Sequence, residues 1–344
     1  MSALTETAAG QPSLQALLGL QGGVVTTAQL REVVGRDGLR RAVRRKTWVQ
    51  VHRGAYSPRS LRDAAASDPR LEHMLQCASR LVLSSHDLVV SHASAALLHN
   101  LTLLDNHGGP PQLTLVRPPG TPPAHVRGWH AASLPPEHRQ RLHGIPVTTR
   151  ARTVADLARR LPRPAGVVLT DAALREGVDR AAVLDVLSGC TGWPGTATAV
   201  STVLFADPRA ESALESLARV WLADAGLPAP DLQPSFCDPW DGRFVARVDF
   251  FWPQHRTVCE VDGRAKYGDA GDAPRRAEYG EPDDALWCEK LREDALRDLG
   301  LEVVRGYWTD GRDAGGALAG RVRRAFDRAA LRADAPTYGL LRRR

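Results

Sequence analysis

The stretch RVDFFWPQHRTVCEVDGRAKY, residues 247–267, places acidic side chains inside two runs that otherwise have the composition of buried strands. The runs, Val245–Trp252 and Arg256–Asp262, are rich in β-branched and aromatic residues, and a turn near Pro253 is expected to join them. Three carboxylates lie within them: Asp249, Glu260 and Asp262. A buried carboxylate without a partner is energetically costly, so other side chains or a bound cation must compensate this group.

Alternation predicts that Glu260 and Asp262 share one face of their strand, because side chains repeat every two residues. Asp249 converges on them if it faces the same way from the neighbouring strand. Glu215 lies on a predicted helix over 208–226 and is placed to reach the same group. A carboxylate cluster of this kind suits Mg²⁺ (or Mn²⁺), so these four acids are the predicted metal ligands. The alternative interpretation pairs the carboxylates with nearby arginines: Arg247, Arg256 or Arg264.

The region around these acids predicts one domain over residues 201–344, with the element order α-β-β-β-α-β across 208–308. A further strand candidate, Leu232–Cys237, follows the first helix, and a charged helix over 283–300 precedes the final strand. The domain ends in a basic tail, since residues 321–344 carry eight Arg against two acids.

The composition of the 344-residue chain is that of a folded globular protein, with 43% hydrophobic and 24% charged residues. No apolar run approaches the roughly 20 residues that span a bilayer, and the N-terminus lacks the pattern of a signal peptide. The five cysteines are scattered, which argues against a disulfide framework and against a zinc site. These features predict a cytoplasmic protein without a membrane segment.

The first 58 residues predict a winged helix-turn-helix domain, because three short helices precede a β-hairpin near Arg53-Gly54. Residues 31–53 carry eight Lys/Arg against two acids, and the net charge of the chain is +6. The third helix is the most basic, so it is predicted to contact DNA phosphates. The predicted DNA-binding residues are Arg40, Arg41, Arg44, Arg45, Lys46 and Arg53. The alternative is a winged helix that uses its basic helix to bind protein.

Residues 59–200 predict a central α/β domain in which no catalytic constellation is evident. Strand candidates are Gln112–Arg117 and Val126–His130, and residues 148–160 read as an amphipathic helix. In that helix Arg152 and Asp156 form an i, i+4 pair. Two histidines seven residues apart, His92 and His99, have no third metal ligand in view and are expected to be structural. A Gly-rich segment over 188–198 is expected to link this domain to the last one.

The last domain resembles the PD-(D/E)XK nuclease superfamily, in its very-short-patch-repair-like branch. The matching motifs are SALE with Glu215, RVDF with Asp249 and CEVDG with Glu260, in that order. The resemblance implies a restriction-endonuclease-like αβββαβ fold in which these acids hold a metal ion and water. The lysine position of the E-x-K motif is Asp262 here, and Lys266 or Lys290 is expected to supply the positive charge instead.

The first domain resembles the winged-helix N-terminus of abortive-infection antitoxins of type IV toxin–antitoxin systems. The middle, with SHASAALLHNL and ARTVADLA, is similar to the segment that follows this winged helix in actinobacterial relatives. The resemblance covers about residues 14–308, and the order of the motifs is its specific part.

Two functions are compatible with these observations. The leading expectation is a cytoplasmic, Mg²⁺-dependent DNA endonuclease-like protein in phage defence or DNA processing. The alternative is a non-catalytic DNA-binding antitoxin or transcriptional regulator, in which the nuclease-like domain is a scaffold for DNA or a cognate toxin. The intact acidic triad favours the first function, whereas Asp262 in place of the motif lysine favours the second.

Overall fold

The computed structural model describes residues 13–104, 109–126, 128–262, 282–332 and 338–341. The chain is a mixed α/β protein that divides into two compact units, Met1–Ala206 and Asp207–Arg344. The first unit contains the first two predicted domains, and the boundary between them at residue 58 stays a prediction. None of the described helices is long and apolar enough to cross a membrane.

The first unit opens with two helices and three short strands: α1 (Leu14–Leu20), β1 (Val25–Thr26), α2 (Thr27–Arg44), β2 (Trp48–His52) and β3 (Ala55–Pro58). The strands form an antiparallel sheet in the order β1-β3-β2. A capping box starts α2, because Thr26 and Gln29 each accept the backbone N–H of the other. Gly35, with φ 71°, interrupts α2, so this segment consists of two helical pieces, as the sequence predicted.

Two apolar clusters hold these elements in place. Leu30 and Leu39, one from each piece of α2, are buried in the same cluster. Val24 and Ala55 belong to a second cluster, which also contains Leu75 from the following segment. The N-terminal strand region therefore shares a core with the chain that follows it, while the N-terminal helices pack in a separate cluster.

A six-stranded sheet and a set of helices complete the first unit. The strands are β4 (Leu88–Val90), β5 (Leu113–Arg117), β6 (Ala124–Val126), β7 (Trp129–Ser133), β8 (Arg139–Leu142) and β9 (Ile145–Thr148), in the order β6-β7-β5-β4-β9-β8. The helices are α3 (Arg59–Ala65), α4 (Pro69–Val82), α5 (His92–Leu98), α6 (Arg150–Ala158), α7 (Arg163–Arg175), α8 (Arg180–Ser188) and α9 (Thr196–Phe205).

Two predictions for this region are confirmed and two are wrong. The strand Leu113–Arg117 lies within the predicted strand Gln112–Arg117, and the helix Arg150–Ala158 lies within the helix predicted over 148–160. The strand predicted over Val126–His130 is not continuous: Val126 ends β6, Trp129 begins β7, and Gly128 between them has φ 82°, outside the extended conformation. The segment 188–198 lies between α8 and α9 within the first unit, and the division between units falls after Ala206.

The predicted i, i+4 pair of α6 is a buried ion pair. Arg152 Nε donates to Asp156 Oδ2 at 2.8 Å, and the two side chains are 2% and 4% exposed. Arg159 contacts the other carboxylate oxygen at 3.4 Å, and Arg152 also donates to the carbonyl oxygen of Ser133 at the end of β7. Burial would raise the pKa of Asp156, but the charges of Arg152 and its neighbours hold it below the ordinary value. This pair ties α6 to the six-stranded sheet.

The second unit contains the acidic stretch. Its elements are α10 (Ala213–Asp224), β10 (Asp231–Leu232), β11 (Ser235–Cys237), β12 (Phe244–Arg247), β13 (Phe250–Trp252), β14 (Thr257–Asp262), α11 (Pro282–Asp298), β15 (Glu302–Tyr307), α12 (Gly316–Ala330) and β16 (Gly339–Leu341). One sheet has the order β10-β13-β14-β15, with β14 and β15 parallel, and the other has the order β12-β11-β16. Side chains from both sheets and from α11 form one apolar cluster.

Two strands that the sequence predicted as continuous are each divided between the two sheets. Leu232–Cys237 breaks at Gln233, which has φ 56° and therefore leaves the extended conformation. Val245–Trp252 breaks at Asp249, which lies opposite: the Gln233 N–H donates to the Asp249 carbonyl oxygen at 3.0 Å. The prediction of unbroken strands is therefore wrong. The two interruptions lie opposite each other and are joined by this hydrogen bond between Gln233 and Asp249.

We expect Asp156→Asn to lower the free energy of unfolding by about 3–5 kcal/mol, since it leaves the buried Arg152 charge without its partner. Urea denaturation followed by circular dichroism measures this loss. Glu176→Gln is the matched control, because it removes one partner of the Arg150 pair, whose side chains are 34% and 35% exposed. The control is expected to cost about 1 kcal/mol or less, and equal losses in both variants would contradict the prediction.

Candidate functional site

Three carboxylates of the acidic stretch lie around strand β14. Glu260 and Asp262 are on that strand, and by alternation they share a face. Asp249 lies between β12 and β13, and its Oδ2 accepts the backbone N–H of Val261 at 2.8 Å. The Asp249 carboxylate therefore lies beside the residue that separates the other two acids.

Glu215 is joined to Asp249 through a residue that sequence reasoning missed. It lies in the first turn of α10, where Ser212 is the N-cap, and it is 5% exposed. The Nε2 of Gln233 donates to Glu215 Oε2 at 2.9 Å and to Asp249 Oδ1 at 3.0 Å. Glu215 Oε2 also accepts the backbone N–H of Glu211 at 2.8 Å. The only signal for Gln233 in the sequence was a polar residue inside a predicted strand.

The charge of Asp249 affects the ionisation of Glu215. The pKa of Glu215 is raised, first because burial disfavours its charge and second because the nearby Asp249 charge repels it. Hydrogen bonds from Gln233 and from the Glu211 N–H act in the opposite direction. The net result is a carboxylate that resists ionisation.

Two arginines compensate the charge of Glu260. Arg292 of α11 contacts Glu260 Oε1 at 3.0 Å, and Arg305 of β15 contacts Oε2 at 3.1 Å. Arg305 lies directly opposite Glu260 in the parallel ladder, which brings its side chain to the same face. The Glu260 side chain is 8% exposed. The structure thus pairs Glu260 with arginine, as the alternative interpretation expected, and in the described part of the chain Arg292 and Arg305 supply the pairing.

The remaining residues predicted for this site lie in different surroundings, and some lie outside the described part of the chain. Arg247, one of the arginines first considered, pairs with Glu211. Lys290 is exposed on α11, Asp262 is half-buried, and Lys266 and Arg264 lie outside the described residues. Whether a lysine acts at this site stays a prediction.

The arrangement does not fit a divalent cation. Both oxygens of Glu260 are engaged by guanidinium groups, and the Gln233 amide lies between the Glu215 and Asp249 carboxylates. Within the part of the chain that the structure describes, no three His, Cys, Asp or Glu side chains are grouped to hold a metal ion. A cation at this place would first require the arginines to leave Glu260.

The predicted DNA-binding side chains are all on the surface of the first unit. They are Arg40, Arg41, Arg44, Arg45, Lys46 and Arg53, and every one is exposed. The first three lie on the second piece of α2, and Arg53 lies in the turn between β2 and β3. Arg40 contacts Asp37 at 3.7 Å, in an exposed pair that water can readily replace.

Comparisons with known proteins give two similar sequences. No family model and no solved structure matches this chain. The uncharacterized proteins MT2308 and Rv2248, from two strains of Mycobacterium tuberculosis, are each 34% identical to it over 193 residues. The match covers 56% of this chain and 66% of each relative, slightly less than two thirds of the relatives' own length.

We expect Glu260→Gln to destabilise the protein by about 2 kcal/mol, because two guanidinium groups lose a buried counter-charge. The loss is smaller than for a fully buried pair, since Arg292 and Arg305 are 34% and 20% exposed. Thermal and urea unfolding at neutral pH without added metal measure it. Asp294→Asn, which removes an exposed partner of Arg297, is the control and is expected to change stability by about 0.5 kcal/mol or less. Unchanged stability of the Glu260 variant would contradict the prediction.

Glu215→Gln is expected to stabilise the protein at pH 7. A raised pKa means that the folded chain holds this proton more tightly, so wild-type stability is lost as pH rises from the ordinary value of 4.5 through the folded pKa. Glutamine keeps the size and an acceptor oxygen but has no charge to repel Asp249. The wild-type and variant unfolding midpoints should therefore differ at pH 7 and approach each other below pH ~4. A variant that is less stable at pH 7 would show that the Glu215 charge is needed.

Proposed function

We propose that this chain is a cytoplasmic DNA-binding protein of the antitoxin or transcriptional-regulator type, which binds DNA without cutting it. The observation that carries the proposal is the row of exposed arginines on the second piece of α2. The element order of residues 14–58, with its sheet order β1-β3-β2, supports a winged helix.

The basic residues are arranged as a phosphate-binding surface requires. Leu39 is buried and anchors the second piece of α2, while Arg40, Arg41 and Arg44 remain exposed on the same piece. Exposed guanidinium groups pair with phosphate and release condensed counterions, which drives association. Arg53, in the turn between β2 and β3, extends this charge to the position of a wing.

The acidic group of the second unit supports binding rather than cleavage. Glu260 is held by two arginines, and Asp262 replaces the lysine that the resemblance calls for. In this proposal the second unit is a scaffold for DNA or for a cognate toxin protein.

A metal-dependent DNA endonuclease is the second candidate. It is favoured by the raised pKa of Glu215 beside Asp249. Two carboxylates that repel each other in a buried place are typical of a functional site, where a bound cation would neutralise them. This candidate requires that the arginines release Glu260 and that Mg²⁺ or Mn²⁺ then binds the freed carboxylates.

The test of the proposal is the salt dependence of DNA affinity. Replacing Arg41 and Arg44 together by glutamine removes two phosphate contacts, so the slope of log affinity against log salt should become less steep by about 1.8. Fluorescence anisotropy with a labelled duplex at several salt concentrations measures the slope. A matched double variant, Arg80→Gln with Arg117→Gln, also removes two exposed positive charges of the first unit, but outside α2.

The two double variants separate the outcomes. An unchanged slope in the Arg41/Arg44 variant would overturn DNA binding by α2, and an equal change in both would indicate general attraction of charge. The same wild-type samples are incubated with supercoiled plasmid and Mg²⁺ or Mn²⁺. Cleavage that requires the metal and is lost in Glu260→Gln would replace the proposal with the second candidate.

A further inference from the structure

A cluster of histidine and arginine side chains lies on the six-stranded sheet, in the region where the sequence indicated no chemistry. It consists of His92 at the start of α5, His125 and His130 on the hairpin β6–β7, and Arg160 after α6. His125 and His130 are cross-strand partners, and the His130 ring stacks on the His92 ring with centroids 3.7 Å apart. We call this group the His–Arg cluster.

His92 is held in an unusual conformation. Its φ is 52°, in the left-handed region that residues other than glycine rarely adopt, and the residue is 6% exposed. Thr114 Oγ1 donates to Ser91 Oγ at 2.8 Å, which directs the Ser91 proton to His92 Nδ1 at 2.9 Å. Because His92 Nδ1 is the acceptor within reach of that proton, we assign the ring proton of His92 to Nε2. Backbone strain of this kind is concentrated at binding sites, where the surrounding structure maintains it.

His130 carries its proton on the same atom for a different reason. Arg160 Nη1 lies 2.7 Å from His130 Nδ1, and because a guanidinium group can only donate, this nitrogen must accept. The proton of His130 is then on Nε2. Among the residues that the structure describes, neither Nε2–H has a hydrogen-bond acceptor, so two donors of the stacked pair are unused.

The charges around the cluster are mainly positive. Asp156 is the carboxylate that acts on both stacked rings, and its oxygens are already engaged by Arg152 and Arg159. Burial lowers the pKa of His92 to about 3, and the charges of His130, Arg160 and Arg152 add to this effect. Burial and Arg160 lower the pKa of His130 to about 4. Both rings are neutral at pH 7, and the exposed guanidinium group of Arg160 lies at the Nδ1 edge of the His130 ring.

We propose that the His–Arg cluster is a binding site for a phosphate group, which accepts hydrogen bonds from Arg160 and from the Nε2–H of His130 and His92. Phosphate has acceptor oxygens and negative charge, and a group of donors without a free carboxylate is complementary to both. A metal ion is a poor occupant, because the Nδ1 lone pairs are used by Ser91 and Arg160. The proposal does not depend on the proposed DNA-binding surface of α2.

The test follows the histidine ring signals of the full-length protein by NMR. Titration with inorganic phosphate, adenosine 5′-monophosphate or a DNA duplex without terminal phosphates should shift the His92 and His130 signals with saturation, at constant ionic strength set by sodium chloride. A bound anion favours the imidazolium form, so the pKa of His130 should rise from about 4. Saturation by inorganic phosphate and adenosine 5′-monophosphate would identify the ligand as free phosphate or a phosphate monoester. Saturation by the duplex would identify it as the DNA backbone.

Arg160→Gln is the decisive variant, and it should weaken phosphate binding about ten- to hundred-fold through loss of a charge-assisted hydrogen bond. Arg160 is exposed, so the variant should fold, which its unfolding midpoint verifies. Arg80→Gln removes another exposed arginine of the first unit and should bind phosphate as the wild type does. Shifts that sodium chloride alone reproduces, or equal affinity in the wild type and Arg160→Gln, would overturn the proposal.

Discussion

The hydrogen bonds of the Asp249 carboxylate are the interaction on which the acidic group of the second unit depends. One oxygen accepts the Val261 N–H of strand β14, and the other accepts the Gln233 amide that also holds Glu215. The same residue lies where the chain leaves one sheet and enters the other, so its side chain makes these hydrogen bonds at the interruption between β12 and β13. The Asp249 side chain accepts one hydrogen bond from a backbone N–H and another from a side-chain amide. A carboxylate on a short side chain can accept both, which explains why an acidic residue lies within this apolar run.

Local signals in the sequence predicted the elements of the fold well. Thr26 with Gln29, and Gly35 within α2, act through neighbouring residues, so capping and helix interruption could be read directly from the chain. Leu232–Cys237 and Val245–Trp252 were read as single strands because their composition is continuous. Their division depends on φ at Gln233 and on bonds to a segment 16 residues away, and no local pattern carries that information.

The candidate site was predictable to a similar extent. Alternation placed Glu260 and Asp262 on one face, and helical spacing brought Glu215 towards Asp249. The partners of Glu260 could not be derived, because Arg305 reaches it only through the parallel register and Arg292 only through the packing of α11. The stacking of His92 on His130 could not be derived for the same reason, and the sequence grouped His92 with His99 instead. His92 and His130 are 38 residues apart in the chain, and only the sheet brings their rings together.

The parallel ladder between β14 and β15 has a consequence for how this protein can change over evolutionary time. Thr257 lies opposite Glu302, 45 residues later, so the ladder closes a long loop. The entropy of loop closure grows only with the logarithm of length, and doubling such a loop costs about 0.6 kcal/mol. A change in the length of the span that this ladder closes therefore costs little free energy. The ladder and its buried glutamate can persist while that length changes.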